Sequence, residues 1–166
     1  MNSRFKELQR KNRRKKTLTE LQKKSPELTL EDFIDIGTNT KLAEQISNFF
    51  RLAPVEVKFC EIDRTEATKM VTKYIELLYS QNKLSFINPL IGLGVGDGGE
   101  FTKWSLKKIF QDICTSVELT HFPNGGFFIL IDEDGSRCLL AYHAEYYTCL
   151  ISKGLGDITL PEYSYY

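Results

Sequence analysis

The chain has 166 residues, of which 42% are hydrophobic and 27% charged, and its 22 basic side chains balance 22 acidic ones. These values are typical of one globular domain, because a chain of this length buries roughly two thirds of its unfolded surface without disulfide or metal staples. It has no apolar run of about 18 residues, and charges open the N-terminus. We therefore expect a cytoplasmic protein without a cofactor or a membrane partner.

The zero net charge hides a division along the chain. Residues 1–24 hold ten basic and two acidic side chains, a formal charge of +8, so residues 25–166 carry −8. This division predicts a basic helical arm over 1–24 and a single domain over 25–166. The arm can attract phosphates or lie on its own acidic body, while an acidic body attracts a basic partner.

The N-terminal third has the pattern of short helices. Thr17 and Glu20 have the spacing of a capping box, which predicts that the arm is two helical pieces or one bent helix, ended by Ser25 and Pro26. Two small helices are predicted next. The first covers residues 28–36 and is ended by Gly37, and the second covers residues 38–50.

The middle of the chain changes period. Alternating apolar residues predict a strand over 55–62, and a 3.6-residue period predicts a core helix over 65–79 and a second one over 101–113. Between these helices, residues 92–99 include five glycines. Their spacing satisfies a dinucleotide-binding pattern, but no parallel return strand follows, so we interpret the segment as a flexible loop.

The C-terminal third is predicted to be strands. Four strands are expected over residues 115–121, 127–131, 137–143 and 145–152, with turns at 123–126 and 132–135. The second of these is apolar on both sides and should be central in the sheet. The fold class predicted is α+β, with N-terminal helices, two core helices and a C-terminal antiparallel meander that the strand at 55–62 joins.

The sequence offers few residues for catalysis. The four cysteines lack zinc-site spacing and the acidic turn lacks calcium-loop spacing, so no metal site is predicted. His121 and His143 are predicted at one end of the sheet with a strand between them. They would form the acid–base pair of a small hydrolase or ribonuclease. The alternation of Val117 and Leu119 with polar residues favours instead a core position for His121.

A protein-binding function is compatible with this sequence, because it requires no catalytic or metal-binding motif. Acids and tyrosines cluster in the turns and strand ends of the C-terminal half, and carboxylates and tyrosines are common at protein interfaces. The residues expected on this surface are Asp97, Asp132, Glu133, Asp134, Tyr142, Glu145, Tyr146 and Tyr147.

In size, in the acidity of residues 25–166, in its mixed fold and in these acids and tyrosines, the chain resembles the immunity proteins of bacterial toxin systems, including contact-dependent growth inhibition. The resemblance is one of character and no defining motif carries it; the +8 arm departs from it. It implies a non-enzymatic inhibitor that neutralises a basic, nuclease-like toxin domain.

Two alternatives remain open. One is a protein that binds nucleic acid through the basic arm, where clustered cations neutralise phosphates without reading sequence. The residues that would do so are Arg10, Lys11, Arg13, Arg14, Lys15 and Lys16. The other is the enzyme that uses the histidine pair.

Overall fold

The computed structural model describes residues 3–49, 55–59, 63–93, 99–120 and 122–161. Within them the chain is an α+β protein, as predicted. Its helices are α1 (Ser3–Leu21), α2 (Ile36–Phe49), α3 (Arg64–Ser80), α4 (Leu106–Gln111) and α5 (Ile113–Glu118). Its strands are β1 (Val55–Phe59), β2 (Pro89–Leu93), β3 (Glu100–Thr102), β4 (Phe127–Asp132), β5 (Cys138–His143) and β6 (Thr148–Lys153).

The strands form one antiparallel sheet in the order β1-β6-β5-β4-β2-β3. Two predictions are confirmed by this order: the apolar strand β4 is an inner strand, and β1 joins the meander by pairing with β6. The β3 edge is continued by the chain before α2, because Phe33 bridges Thr102 and the Ile34 amide donates to the Phe101 carbonyl. Side chains of a β-strand alternate between the two faces of the sheet, and each face carries a hydrophobic core.

The larger core lies on the face that we call the first face. Buried residues from the end of α1, from α3 and from α5 meet side chains such as Phe128, Leu139 and Leu150 there. On the second face, α2 packs Leu42 and Ile46 against a smaller core. The sheet is therefore sandwiched between several helices on one side and a single helix on the other.

The predicted core helix over 65–79 is confirmed as α3. Asp63 caps it by accepting hydrogen bonds from the amides of Thr65 and Glu66 at 2.8 and 3.2 Å. The apolar stripe that predicted the helix is its buried face. Its members are Ala67, Val71, Tyr74, Ile75 and Leu78, each fully buried.

Tyr74 holds the C-terminal segment on α3. Its hydroxyl donates to the Ile158 carbonyl at 2.6 Å and accepts from the Leu160 amide at 3.1 Å, and its side chain is fully buried. We expect Tyr74→Phe to lower the free energy of unfolding by about 1–3 kcal/mol, because two buried backbone groups lose their partner. Urea denaturation measures the change. Tyr79→Phe is the control, because it also removes one hydroxyl from α3 and keeps the ring that stacks on Phe110. Equal losses in the two variants would contradict the role of the Tyr74 hydroxyl.

The predicted helix over 101–113 is wrong. Residues 100–102 form β3, and Ser105 then caps α4 by accepting from the Lys108 amide at 3.2 Å. Asp112 breaks the run and caps α5. The apolar spacing was misleading because Phe101 packs on the second face whereas Ile109 packs on the first.

The predicted strand over 115–121 is also wrong, because α5 occupies its start. Ser116, one of the polar residues that alternate with Val117 and Leu119, is buried, and its hydroxyl donates to the Ile109 carbonyl at 3.0 Å. Thr120 is buried as well. The meander therefore has three strands, β4 to β6, and β4 takes its other neighbour from β2, which the sequence did not predict.

The N-terminal helices also differ from the prediction. Helix α1 continues through Thr17, which is buried, so no helix begins there. The first small helix reduces to one 3₁₀ turn over residues 30–32, where the Thr29 amide donates to Asp32 at 2.7 Å. Gly37 lies in the first turn of α2 and does not end a helix.

The second half of the basic arm packs on the body. Leu18 and Leu21 enter the first-face core. The Arg14 guanidinium contacts the Glu100 carboxylate at 2.6 and 2.9 Å and donates to the Ile34 carbonyl at 2.7 Å. This half of α1 is thus part of the domain's own structure.

Candidate partner-binding surface

Helix α2 covers the second face of the sheet at one end. Its side chains pack near Ile131 and Cys138, at the β4–β5 turn end of those strands. Toward the β5–β6 turn, Ile129, Tyr142 and Tyr147 are only partly buried. These three side chains pack against the smaller core and keep part of their surface exposed.

The strand register lines up aromatic side chains across the second face toward the β5–β6 turn. Phe127 lies opposite Tyr142, Tyr142 opposite Cys149, and Cys149 opposite Lys58. The Phe127 and Tyr142 ring centroids are 6.3 Å apart, and the Phe127 side chain is 45% exposed. In the turn beyond, Tyr146 is 65% exposed. We call these four aromatic residues, Phe127, Tyr142, Tyr146 and Tyr147, together with the neighbouring Ile129, the aromatic patch.

Charged groups border the aromatic patch on two sides. Glu145 is exposed in the β5–β6 turn. On β1, the Lys58 ammonium lies 4.8 Å from the Tyr147 ring centroid and 3.7 Å from the Glu56 carboxylate. An aromatic surface with a carboxylate beside it can hold a cationic side chain of a partner.

The Tyr142 hydroxyl and the neighbouring Cys149 thiol stay protonated at neutral pH. Burial raises the pKa of the Tyr142 hydroxyl above its usual range, and the neighbouring Cys149 adds to the effect. Burial also raises the pKa of the Cys149 thiol to about 12, with the Glu56 carboxylate that accepts its hydrogen bond at 3.1 Å as the next cause. A thiol whose pKa is raised in this way is a poor nucleophile at neutral pH.

The acidic turn lies at the other end of the same strands. The six residues of β5, of which Tyr142 is the fifth, separate it from the β5–β6 turn, a length of about 17 Å. Glu133 and Asp134 are exposed there, and the Glu133 carboxylate is 3.8 Å from the Lys103 ammonium. The residues predicted to form one surface thus fall into two separate groups.

Asp132 is not on that surface at all, which corrects the prediction. It is 2% exposed, and its Oδ1 accepts from the amides of Ile87 and Asn88, each at 2.9 Å. Its Oδ2 accepts from Arg137 at 3.2 Å. Asp132 fixes the hairpin to the preceding loop, so its carboxylate is unavailable to a partner. Asp97 lies outside the described residues.

His143 has both ring nitrogens occupied. Its ring stacks on Phe122 at 4.3 Å, Nδ1 lies 2.8 Å from the Thr148 hydroxyl, and Nε2 lies 3.4 Å from the Thr68 hydroxyl. Because the Thr68 hydroxyl donates to the Arg64 carbonyl, it accepts from Nε2. These contacts fix the orientation of the ring between α3 and β6. His121 lies outside the described residues, so the histidine pair stays a prediction.

His143 should make the protein less stable in mild acid. Burial, followed by the nearby Arg64, holds its pKa below the ordinary 6.5. As the pH falls through 6.5, the unfolded chain takes up a proton that the folded chain refuses, so the free energy of unfolding decreases. Urea titrations at pH 7.5, 6.5 and 5.5 should show a smaller acid loss in His143→Gln than in the wild type. Parallel pH profiles would contradict this assignment.

In the basic arm, some cationic side chains form hydrogen bonds or ion pairs, and others have none within the described part of the chain. Arg14 is buried against Glu100, Arg10 donates to the Thr40 hydroxyl at 2.5 Å, and Lys11 pairs with Glu7 at 2.8 Å. The side chains that are exposed and have no hydrogen bond or ion pair within the described part of the chain are Lys6, Arg13, Lys15 and Lys16. Half of the predicted phosphate-binding set is therefore available.

In comparisons with known proteins, no family model, curated protein or solved structure matches the chain. Among the described residues, no three His, Cys, Asp or Glu side chains lie together as metal ligands. The helices described are also too short or too polar to cross a membrane.

Sequence analysis missed Phe127 and Ile129. Strand β4 is apolar at nearly every position, so its pattern does not distinguish the face that a helix covers from the face left open. The only sequence signal is the adjacency in register to Tyr142, which depends on knowing the turn length.

Proposed function

We propose that the protein is a non-enzymatic protein-binding module, an immunity-type inhibitor that neutralises a basic, nuclease-like toxin domain through the aromatic patch. The observation that carries this proposal is the group of exposed and partly exposed aromatic side chains at one end of β4 and β5 and in the β5–β6 turn, namely Phe127, Tyr142, Tyr146 and Tyr147. Aromatic side chains anchored on a sheet lose little conformational entropy on binding, and clusters of them dominate many interfaces.

The charges support a basic partner. Residues 25–166 carry a formal charge of −8, which favours a cationic partner that approaches them more closely than it approaches the +8 of residues 1–24. At the patch itself, Glu145 is exposed and can face an arginine or lysine of that partner. The protonated Tyr142 hydroxyl remains a neutral hydrogen-bonding group.

The acidic turn has a different part in this proposal. Glu133 and Asp134 lie at the opposite end of β5 from the β5–β6 turn, about 17 Å along the strand. We assign them to steering of the partner at low ionic strength, where charges act over such a distance. Reversing both charges should slow association at low salt and leave the dissociation rate unchanged.

Comparative capture tests the proposal. Tagged wild-type protein and the double variant Phe127→Ala/Tyr146→Ala are expressed in the source cells, and bound proteins are quantified after nuclease treatment. Leu30→Ala is the control, because Leu30 is 43% exposed, much like Phe127, but lies on the 3₁₀ turn before α2. We expect a basic protein that survives nuclease, that the control retains and that the double variant loses.

Growth rescue tests the inhibitory part. The captured protein, expressed alone in a host, should arrest growth, and co-expression of the wild-type chain should restore it. The patch variant should fail to restore growth at equal expression. A captured protein that is harmless would leave a binding module but refute inhibition, and capture unaffected by the patch variant would refute the surface.

A second candidate function is nucleic-acid binding through α1, which the exposed cations Arg13, Lys15 and Lys16 favour. Single-stranded RNA binding should then weaken in Lys15→Glu/Lys16→Glu, and the salt dependence of its affinity should become shallower. The control Lys73→Glu/Lys107→Glu makes the same charge change on α3 and α4, at two exposed lysines. Equal losses in both variants would indicate only a general charge effect.

A further inference from the structure

The two edges of the sheet differ. Residues 32–34 continue the β3 edge by backbone hydrogen bonds to residues 101 and 103 and a bridge at Thr102. At the other edge, β1 pairs with β6, and the described residues supply no strand on its outer side. An edge strand of this kind presents a row of backbone donors and acceptors that a further strand can bind.

The side chains of β1 are arranged symmetrically around its central residue. Glu56 and Lys58 are exposed on the second face, with their charged groups 3.7 Å apart. Val57 between them points to the first face, where it packs against the core. One carboxylate and one ammonium at equal distances from a centre make a strand that is complementary to its own antiparallel copy.

We propose that β1 pairs with β1 of a second copy of this chain, antiparallel and centred on Val57, so that the two sheets become continuous. In this register Glu56 of each copy lies directly opposite Lys58 of the other, which gives two favourable cross-strand pairs. This dimer is a property beyond the proposed inhibitor function, and the patch residues Phe127 and Tyr146 take no part in it.

The charges also select the register. Shifting the pairing by two residues in one direction places Glu56 opposite Glu56, and in the other direction Lys58 opposite Lys58. Like charges directly opposite each other are unfavourable. Because the whole chain has a formal net charge of zero, no long-range repulsion opposes the approach of two copies.

Charge exchange on β1 tests the dimer. Sedimentation equilibrium of the wild type, from low micromolar to several hundred micromolar, should show concentration-dependent association. Glu56→Lys and Lys58→Glu each create two like-charge pairs and should weaken association roughly tenfold or more. The double variant Glu56→Lys/Lys58→Glu recreates the complementary pattern and should recover it. Glu66→Lys on α3, also a charge reversal within an exposed ion pair, should leave association unchanged.

A mixing experiment separates loss of pairing from loss of folding. An equimolar mixture of the two single variants places introduced lysines opposite introduced glutamates, so we expect heterodimers although neither variant dimerises alone. A wild type that stays monomeric over the whole range would overturn the proposal. So would single variants that associate like the wild type, or a mixture and double variant that both fail to associate while remaining folded.

Discussion

Replacing Arg14 by alanine should lower the free energy of unfolding by about 3–5 kcal/mol, because the substitution leaves the Glu100 carboxylate buried without its partner. The side chains of Arg14 and Glu100 are only 11% and 10% exposed. Arg14 also donates to the Ile34 carbonyl and lies over the Phe33 ring. One side chain thus joins α1 to the chain before α2 and to β3.

Urea denaturation measures this loss, and Arg13→Ala is the control, because Arg13 is the adjacent exposed cation of the same helix. We expect the control to change stability by less than about 0.5 kcal/mol. The double variant Arg14→Ala/Glu100→Gln should be more stable than Arg14→Ala alone, because it removes the unpaired charge. A cost for Arg14→Ala no larger than that of the control would show that α1 is not anchored by this pair.

Replacing Asp132 by alanine should be similarly damaging, with an expected loss of about 3–5 kcal/mol. The substitution removes the acceptor of two backbone amides, those of Ile87 and Asn88, and the partner of Arg137. These contacts tie the β4–β5 hairpin to the loop before β2. The loss of stability should therefore affect both the β4–β5 hairpin and strand β2.

Asp134→Ala is the matched control two residues away. Asp134 is exposed, and its carboxylate accepts from the Ser136 amide within the same turn, at 2.8 Å. We expect it to cost less than about 1 kcal/mol. Thermal and urea unfolding compare the two variants, and similar stabilities would contradict the structural role of Asp132.

Much of the fold could be predicted from residue periodicity. Helix α3, strand β1 and the β4–β6 meander each have a regular pattern and a clear turn or cap, as at Asp63. The segment 101–120 failed because both faces of the sheet are buried. Phe101 and Ile109 look like one stripe but pack on opposite sides, and Ser116 is buried through a hydrogen bond that its residue type does not indicate.

The candidate surface was predicted only in part. Glu145 and Tyr146 lie in a turn between two strands, so their exposure followed from the sequence. Asp132 was misplaced because a charged residue in a turn is usually solvated, whereas here two amides and an arginine surround it. Which residues of the second face stay partly exposed beside α2 depends on how the helix crosses the sheet, and no local pattern encodes that.

The most direct measurement is the affinity of the captured basic protein for the wild-type chain and for Phe127→Ala/Tyr146→Ala, by isothermal titration calorimetry. If the aromatic patch is the binding surface, the double variant should lose roughly a hundredfold or more in affinity, since the two most exposed aromatic side chains of the patch are removed. Its thermal stability should stay close to that of the wild type. Equal affinities for the two proteins would contradict the assignment of this surface to partner binding.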